Sequence, residues 1–185
     1  MTCVVGSIIR VNNEPKVVIG ADKRILHSTG VIAKAGTFCK LIKFPNFVVG
    51  VAGAVAINLY IQELKRSQKE FLKMRNLKDA YEFTMHVFEA LNERIKIDED
   101  SGTGLGQLLI ATPKALYEGC NFDTVPMNEY CSIGSGCQIA LGAMAVQYPQ
   151  VANVDELKEA VAKTLQVVVD HHSECGPPFD IVEVV

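Results

Sequence analysis

The sequence lacks most of the features that assign a small protein to a class at a glance. Lys and Arg number 18 against 21 Asp and Glu, a net charge of −3. There is therefore no basic excess to hold nucleic acid or an anionic membrane. No apolar run approaches the roughly 20 residues that a membrane-spanning helix needs. The six cysteines (Cys3, Cys39, Cys120, Cys131, Cys137 and Cys175) include no C-x-x-C pair. Without a secretion signal, buried free thiols are expected rather than a disulfide framework. Thr2-Cys3-Val4 follows Met1 with no basic n-region or cleavage site, so the expectation is a protein that stays in the cytoplasm. No phosphate-binding glycine-lysine motif is present, which leaves ATP use to another protein. No repeat, low-complexity tract or linker divides the 185 residues. That length fits one domain, 1–185, with a core of its own. No cofactor or metal is called for.

What is present begins as β structure. Val4–Val11 and Lys16–Ala21 are rich in Val and Ile, and Asn12-Asn13-Glu14-Pro15 between them reads as a turn. Phe38–Phe44 and Phe47–Ala52 form a second such pair around Pro45-Asn46. Several of these runs are apolar on both faces, as in strands covered on both sides. Helical periodicity follows. From about Ala54 to Met74, the residues Ile57, Tyr60, Ile61, Leu64 and Phe71 recur at helical spacing. A second helix from about Leu77 to Ile95 has Asn76 as N-cap and Asp79 in its first turn. Gln107–Thr112 and Ala115–Gly119 read as another hairpin and Tyr130–Ile133 as a short strand. A long helix runs from Asp155-Glu156 to about Asp170, and Phe179–Val185 closes as a strand. With a further helix opening after Gly134-Ser135-Gly136, the order is four strands, two helices, three strands, two helices and one strand. Two helix pairs separated by sets of strands predict an α+β fold, a four-layer α-β-β-α sandwich rather than βαβ crossovers.

Several positions could carry chemistry. With Met1 removed, Thr2 would bear both a hydroxyl and a free α-amine. An α-amine has a pKa near ~8, so one residue would hold a nucleophile and its general base. Many proteins nonetheless begin Met-Thr and make no use of it. Gly20-Ala21-Asp22-Lys23-Arg24 follows the second strand, either as a solvated turn or as a placed carboxylate. Lys40 interrupts an apolar run. It either faces water from an edge strand or points inward, where it needs a carboxylate partner such as Asp22. Val51-Ala52-Gly53-Ala54 joins a strand to a helix, as plain punctuation or as an oxyanion-binding corner. Gly134-Ser135-Gly136 is a second such corner. It lacks the G-x-S-x-G spacing of the hydrolase elbow, which makes Ser135 a supporting hydroxyl rather than a nucleophile.

Taken in order, Thr2, Gly20-Ala21-Asp22-Lys23-Arg24, Lys40, Val51-Ala52-Gly53 and Gly134-Ser135-Gly136 resemble the proteasome β subunit and the bacterial two-component protease of HslV type. The resemblance covers essentially the whole chain. The Thr-Cys-Val-Val-Gly start further resembles proteasome-like proteins of bacteria and their viruses. The resemblance implies the N-terminal nucleophile hydrolase fold and a threonine peptidase working through an acyl-enzyme. It implies Thr2 as nucleophile, Asp22 and Lys40 as the pair that sets the protonation of that centre, the Gly53 amide as oxyanion donor, and Ser135 as support for the N-terminal amine. Leu26 and Gly53 fall where the family's backbone pairs with an extended peptide, and Val51 where it lines the primary specificity pocket. The implied partners are a peptide or unfolded protein as substrate, further copies forming a homo-oligomeric ring, and a separate ATPase unfoldase.

One segment departs from the pattern. Where the family supplies an Asp and then a Ser or similar residue near the C-terminus, this chain has His172 and Cys175, followed by Pro177-Pro178. The spacing of His171, His172 and Cys175 would allow a metal, but no fourth ligand is evident. Two other functions stay open: a catalytically silent subunit of the same fold, and an amidohydrolase of small amides, since fold alone does not fix function.

Overall fold

The computed structural model describes residues 2–26, 32–33, 39–67, 73–95, 106–120 and 123–185. Strands β1 (Cys3–Val11) and β2 (Glu14–Asp22) form a hairpin that turns at Asn12 and Asn13, with φ of 52° and 66°. Positive φ at both central residues gives a turn whose twist matches that of the strands, and Asn tolerates it better than most side chains. The turn is tighter than the sequence implies: Glu14 and Pro15 already pair with Val11 and Arg10.

The chain continues through β3 (Ile25–Leu26), β4 (Ile32–Ala33), β5 (Leu41–Lys43) and β6 (Val48–Gly53). Helices α1 (Val55–Ser67) and α2 (Leu77–Ile95) follow, then β7 (Gly106–Ala111), β8 (Leu116–Cys120), β9 (Asp123–Met127) and β10 (Tyr130–Gly134). It ends with α3 (Cys137–Gln147), α4 (Val154–His171) and β11 (Phe179–Val184). Among the described residues, two antiparallel sheets carry the architecture, in the orders β10-β1-β2-β11 and β5-β6-β7-β8-β9. The short β3 and β4 pair with each other.

Alternation along each strand sorts its side chains into separate cores. Val17, Ile19 and Ala21 of β2, with Val4 of β1, meet Leu109, Ala111 and Leu116 of the other sheet. Their neighbours Cys3, Val5 and Val18 face Leu157, Val161 and Leu165 of α4. Leu108 and Ile110 of β7 point the other way, against Ile57, Ile61, Phe83 and Phe88 of α1 and α2. Strands covered on both faces need apolar residues at consecutive positions, which is why these runs show so little polar alternation. The layer order is α-β-β-α, the expected α+β sandwich.

Three differences from the sequence reading have local causes. First, α1 ends at Ser67 rather than near Met74. Met74 is non-helical and buried, and Asn46 binds its carbonyl at 2.8 Å and its amide at 3.3 Å; Phe71, expected on that helix, lies outside the described residues. Second, strand β9 was not foreseen because it contains Pro126. It lies at the sheet edge, where a missing N–H costs no ladder bond. Third, β5 starts at Leu41, so Lys40 sits just before the strand; Phe38, the first residue of the expected run, lies outside the described residues. Elsewhere the boundaries agree closely. Asn76 accepts the Asp79 amide at 3.1 Å to cap α2, and Asn153 caps α4 by accepting the amides of Asp155 and Glu156. No described helix is long and apolar enough to cross a membrane.

Phe83 anchors the outer core under α2. It meets Phe44 and Phe47 edge-on at 5.9 and 5.8 Å, while those two rings stack at 4.2 Å. Replacing Phe83, 1% exposed, with Ala removes these contacts from the core and is expected to lower unfolding free energy by about 3–5 kcal/mol, measured by urea denaturation.

Candidate active site

The β1–β2 hairpin brings the start of one strand to the end of the other. With Val4 opposite Ala21, Thr2 and Cys3 arrive beside Asp22, and the Cys3 amide donates to Asp22 Oδ1 at 2.8 Å. Asp22 is 0% exposed, Lys40 5% and Thr2 7%. A carboxylate in that position has no water to solvate it and must be satisfied by protein donors. Four are in place. Lys40 Nζ donates to Oδ1 at 2.8 Å alongside the Cys3 amide. The amides of Arg24 and Gly176 donate to Oδ2, each at 3.2 Å. One buried side chain thus ties together β1, the end of β2, the approach to β5 and the C-terminal loop.

Lys40 points inward because its backbone is held on both sides. Its carbonyl accepts the Val51 amide at 3.0 Å, and the Cys39 carbonyl accepts Asn58 Nδ2 of α1 at 2.7 Å. The C-terminal loop is held just as firmly. Lys23 donates its amide to the carbonyls of Gly176 and Pro178, and Arg24 Nη1 reaches the Ser173 carbonyl at 2.6 Å. The guanidinium of Arg24 covers Gly176 so closely that a Cβ there would overlap it.

The second corner closes over Thr2 from the other side. Gly134 has φ +92°, and a Cβ on it would collide with the Thr2 carbonyl oxygen and come within 3.2 Å of Ala52 Cβ. Only glycine fits between the Thr2 carbonyl and the end of β6. Ser135 follows, its hydroxyl 3.5 Å from the Thr2 carbonyl oxygen that it faces as donor. Gly53, the exposed last residue of β6, has φ +119° and pairs with Gly106.

Thr2, Asp22, Lys40 and Ser135 therefore converge, with Gly53 one residue beyond the Ala52 that touches the Gly134 corner. Val51 is buried in the core beneath α1, and only its amide reaches the Lys40 backbone. Leu26 pairs through its backbone with Ile32 in β3–β4. His171 is exposed; His172 is half-buried, and its Nδ1 accepts the Glu174 amide at 3.4 Å. Among the described residues, no group of three or more His, Cys, Asp or Glu side chains is arranged to hold a metal.

Residues that motif reading passes over complete the site. The amides of Cys3, Arg24 and Gly176 have no side-chain signature in a sequence. Cys175 is fully buried; burial, then the nearby Asp22 carboxylate, push its thiol up to about 11. Burial also raises the thiol of Cys3 to about 12. Burial and the contact with Glu118 do the same for Cys131, to about 12. All three stay neutral near pH 7 and act as small packing groups rather than nucleophiles.

No family model matches the sequence, and no curated protein sequence matches it. Solved structures do. The chain superposes on Thiobacillus denitrificans BPH in complex with epoxomicin with a TM-score of 0.79 at 18% identity, covering 98% of this chain and 99% of that one. A second structure of Thiobacillus denitrificans BPH gives 0.76 at 19% identity, covering 98% of each chain. The eukaryotic HslV from Trypanosoma brucei gives 0.67 at 18%, covering 97% of this chain and 98% of that one. The chain has the fold of these HslV- and proteasome-like proteins, the N-terminal nucleophile hydrolase sandwich.

Lys40→Met leaves Asp22 buried without its cation and is expected to destabilise the protein by about 3–5 kcal/mol, read from urea denaturation at pH 7. Iodoacetamide applied to the native protein should alkylate exposed Cys39 and spare Cys3, Cys131 and Cys175 until the chain unfolds, as peptide mapping by mass would report.

Proposed function

We propose that this chain is an N-terminal threonine peptidase. Thr2 Oγ attacks a peptide carbonyl carbon while the α-amine of the same residue, freed by removal of Met1, takes the hydroxyl proton. The amine then gives that proton to the departing peptide nitrogen as the C–N bond breaks, leaving an ester on Thr2. Water, deprotonated by the same amine, hydrolyses the ester and restores the hydroxyl. The Gly53 amide stabilises the oxyanion in both halves, and Ser135 steadies the N-terminal residue.

The observation that carries this reading is the sharing of Asp22 Oδ1 between the Lys40 ammonium and the amide immediately after Thr2, with the carboxylate and the ammonium both buried. A cation held there favours the alkoxide form of a neighbouring hydroxyl. The carboxylate keeps that cation in place without itself meeting substrate. A buried ion pair is a poor way to stabilise a fold, since apolar side chains of similar volume often do as well or better. Chemistry supplies a reason for this one.

Substrate would lie as an extended strand along Gly53 and the backbone at Leu26, with the apolar floor at Val51 favouring an apolar side chain. We further propose a homo-oligomeric ring in the cytoplasm, fed with peptide or unfolded protein by a separate ATPase. Uncovered apolar side chains favour assembly: α1 exposes Val55 and Leu59, and α3 carries no charged residue yet exposes Val146. The silent-subunit reading has one observation in its favour, the buried, neutral Cys175 where the family supplies a Ser or similar residue. The small-amide reading differs in needing only a pocket, without a ring.

Hydrolysis of a fluorogenic peptide separates these readings. Thr2→Ala is expected to abolish turnover while the melting temperature stays near that of the wild type, and Lys40→Ala to lose nearly as much turnover per folded molecule. Undiminished turnover by Thr2→Ala would exclude the mechanism. Absence of turnover in a wild type shown to have lost Met1 would favour the silent subunit.

A further inference from the structure

The layer between the sheets is apolar along most of its length, but at the end nearest Thr2 it contains a polar chain. Gln107 begins the inward-facing row that continues with Leu109 and Ala111, and Glu118 follows Leu116 on the neighbouring strand. Gln107 Nε2 donates to Glu118 Oε1 at 3.2 Å, and the Cys131 thiol donates to Glu118 Oε2 at 3.2 Å. The other end of the Gln107 amide crosses to the opposite sheet, where Oε1 accepts the Gly134 amide at 3.1 Å. Gly134 is the residue packed against the Thr2 carbonyl, and Gln107 lies opposite Ala52, one position before Gly53.

We infer that Gln107, oriented by Glu118, is a positioning residue that fixes the Gly134–Ser135 corner of one sheet against the Gly53 end of the other, and so sets the spacing between the nucleophile and the oxyanion site. Three observations bear on this. Inward polar groups are costly where apolar ones would pack, and they persist when every donor and acceptor is matched. Here the orientation of the Gln107 amide is forced: a carboxylate can only accept, so Nε2 must face Glu118 and Oε1 must face the Gly134 N–H. Finally, Gly134 packs its backbone so closely between the Thr2 carbonyl and Ala52 that no side chain would fit there.

This inference rests on the peptidase reading for its consequence in rate, and the test keeps the two apart. Gln107→Leu removes both bonds. It is expected to lower kcat about 10- to 100-fold with KM changed less than about two-fold, as for a small misplacement of reacting groups. The rate of covalent capture by epoxomicin should fall in parallel. Gln107→Glu sets two carboxylates together and should be at least as damaging. The exchanged pair, Gln107→Glu with Glu118→Gln, restores every bond with its direction between the two side chains reversed. A carboxylate at 107 accepts from both Gly134 and the amide at 118, and the carbonyl at 118 accepts the Cys131 thiol. It is expected to recover kcat to within a few-fold of the wild type. A side chain that merely fills space would not show rescue by exchange. Deuterium exchange at 130–136, faster in Gln107→Leu and restored in the exchanged pair, reports the corner independently of turnover. If the wild type neither hydrolyses peptide nor reacts with epoxomicin, the peptidase reading fails and the exchange data alone decide whether Gln107 holds the corner. Wild-type kcat and unchanged exchange in Gln107→Leu would overturn the inference.

Discussion

A fully buried carboxylate cannot be left short of donors, and the four that Asp22 receives come from four separate parts of the chain. The Cys3 amide fixes the start of β1, the Arg24 amide the exit from β2, Lys40 the approach to β5, and the Gly176 amide the loop that leads into β11. Removing any one donor leaves part of the carboxylate unsolvated, a penalty on the order of 1–3 kcal/mol for a neutral donor and more for the cation. The residues around Thr2 are thus held by mutual necessity rather than by loose proximity. The same requirement explains why the C-terminal loop, far away in sequence, belongs to the site.

The sandwich positions this node through its strand register. In β1 and β2 the apolar side chains near the site are committed to one of two apolar layers, so a one-residue slip would exchange the layers and carry Asp22 to the wrong face. Polar groups enter where the layers end: Asp22 and Lys40 on one side of Thr2, and Gln107 and Glu118 on the other. Glycine is used at the same places, with Gly134 allowing two strands to close on the Thr2 carbonyl and Gly53 ending β6 in a conformation other residues avoid. Among the described residues, the buried ion pair of Asp22 and Lys40 lies beside Thr2.

Much of this architecture can be read from residue order alone. Runs of Val and Ile without polar alternation signal strands covered on both faces, and Asn76 marks a helix start by a capping chemistry that is local. Pro126 hides β9, because whether a proline is tolerated depends on the strand's place at a sheet edge, which is a tertiary fact. Lys40 is legible as an anomaly in an apolar run, and its choice between solvent and interior is settled by Asn58 and Val51 holding the flanking backbone. Backbone donors such as the Gly176 amide have no such trace, since any residue would supply the same N–H. Gln107 does leave one, a polar residue at the head of Leu108-Leu109-Ile110, but its partner Gly134 becomes apparent only when the two sheets face each other.

The central claim is that the node built on Asp22 serves a nucleophile at Thr2 whose base is its own amine. Intact mass and tandem sequencing before and after incubation with epoxomicin test it most directly. The account predicts a starting mass lacking Met1, a gain equal to one inhibitor molecule, and fragments that locate the adduct on Thr2. A protein that has lost Met1 and still takes up no inhibitor, or that carries it on a residue other than Thr2, would contradict the account.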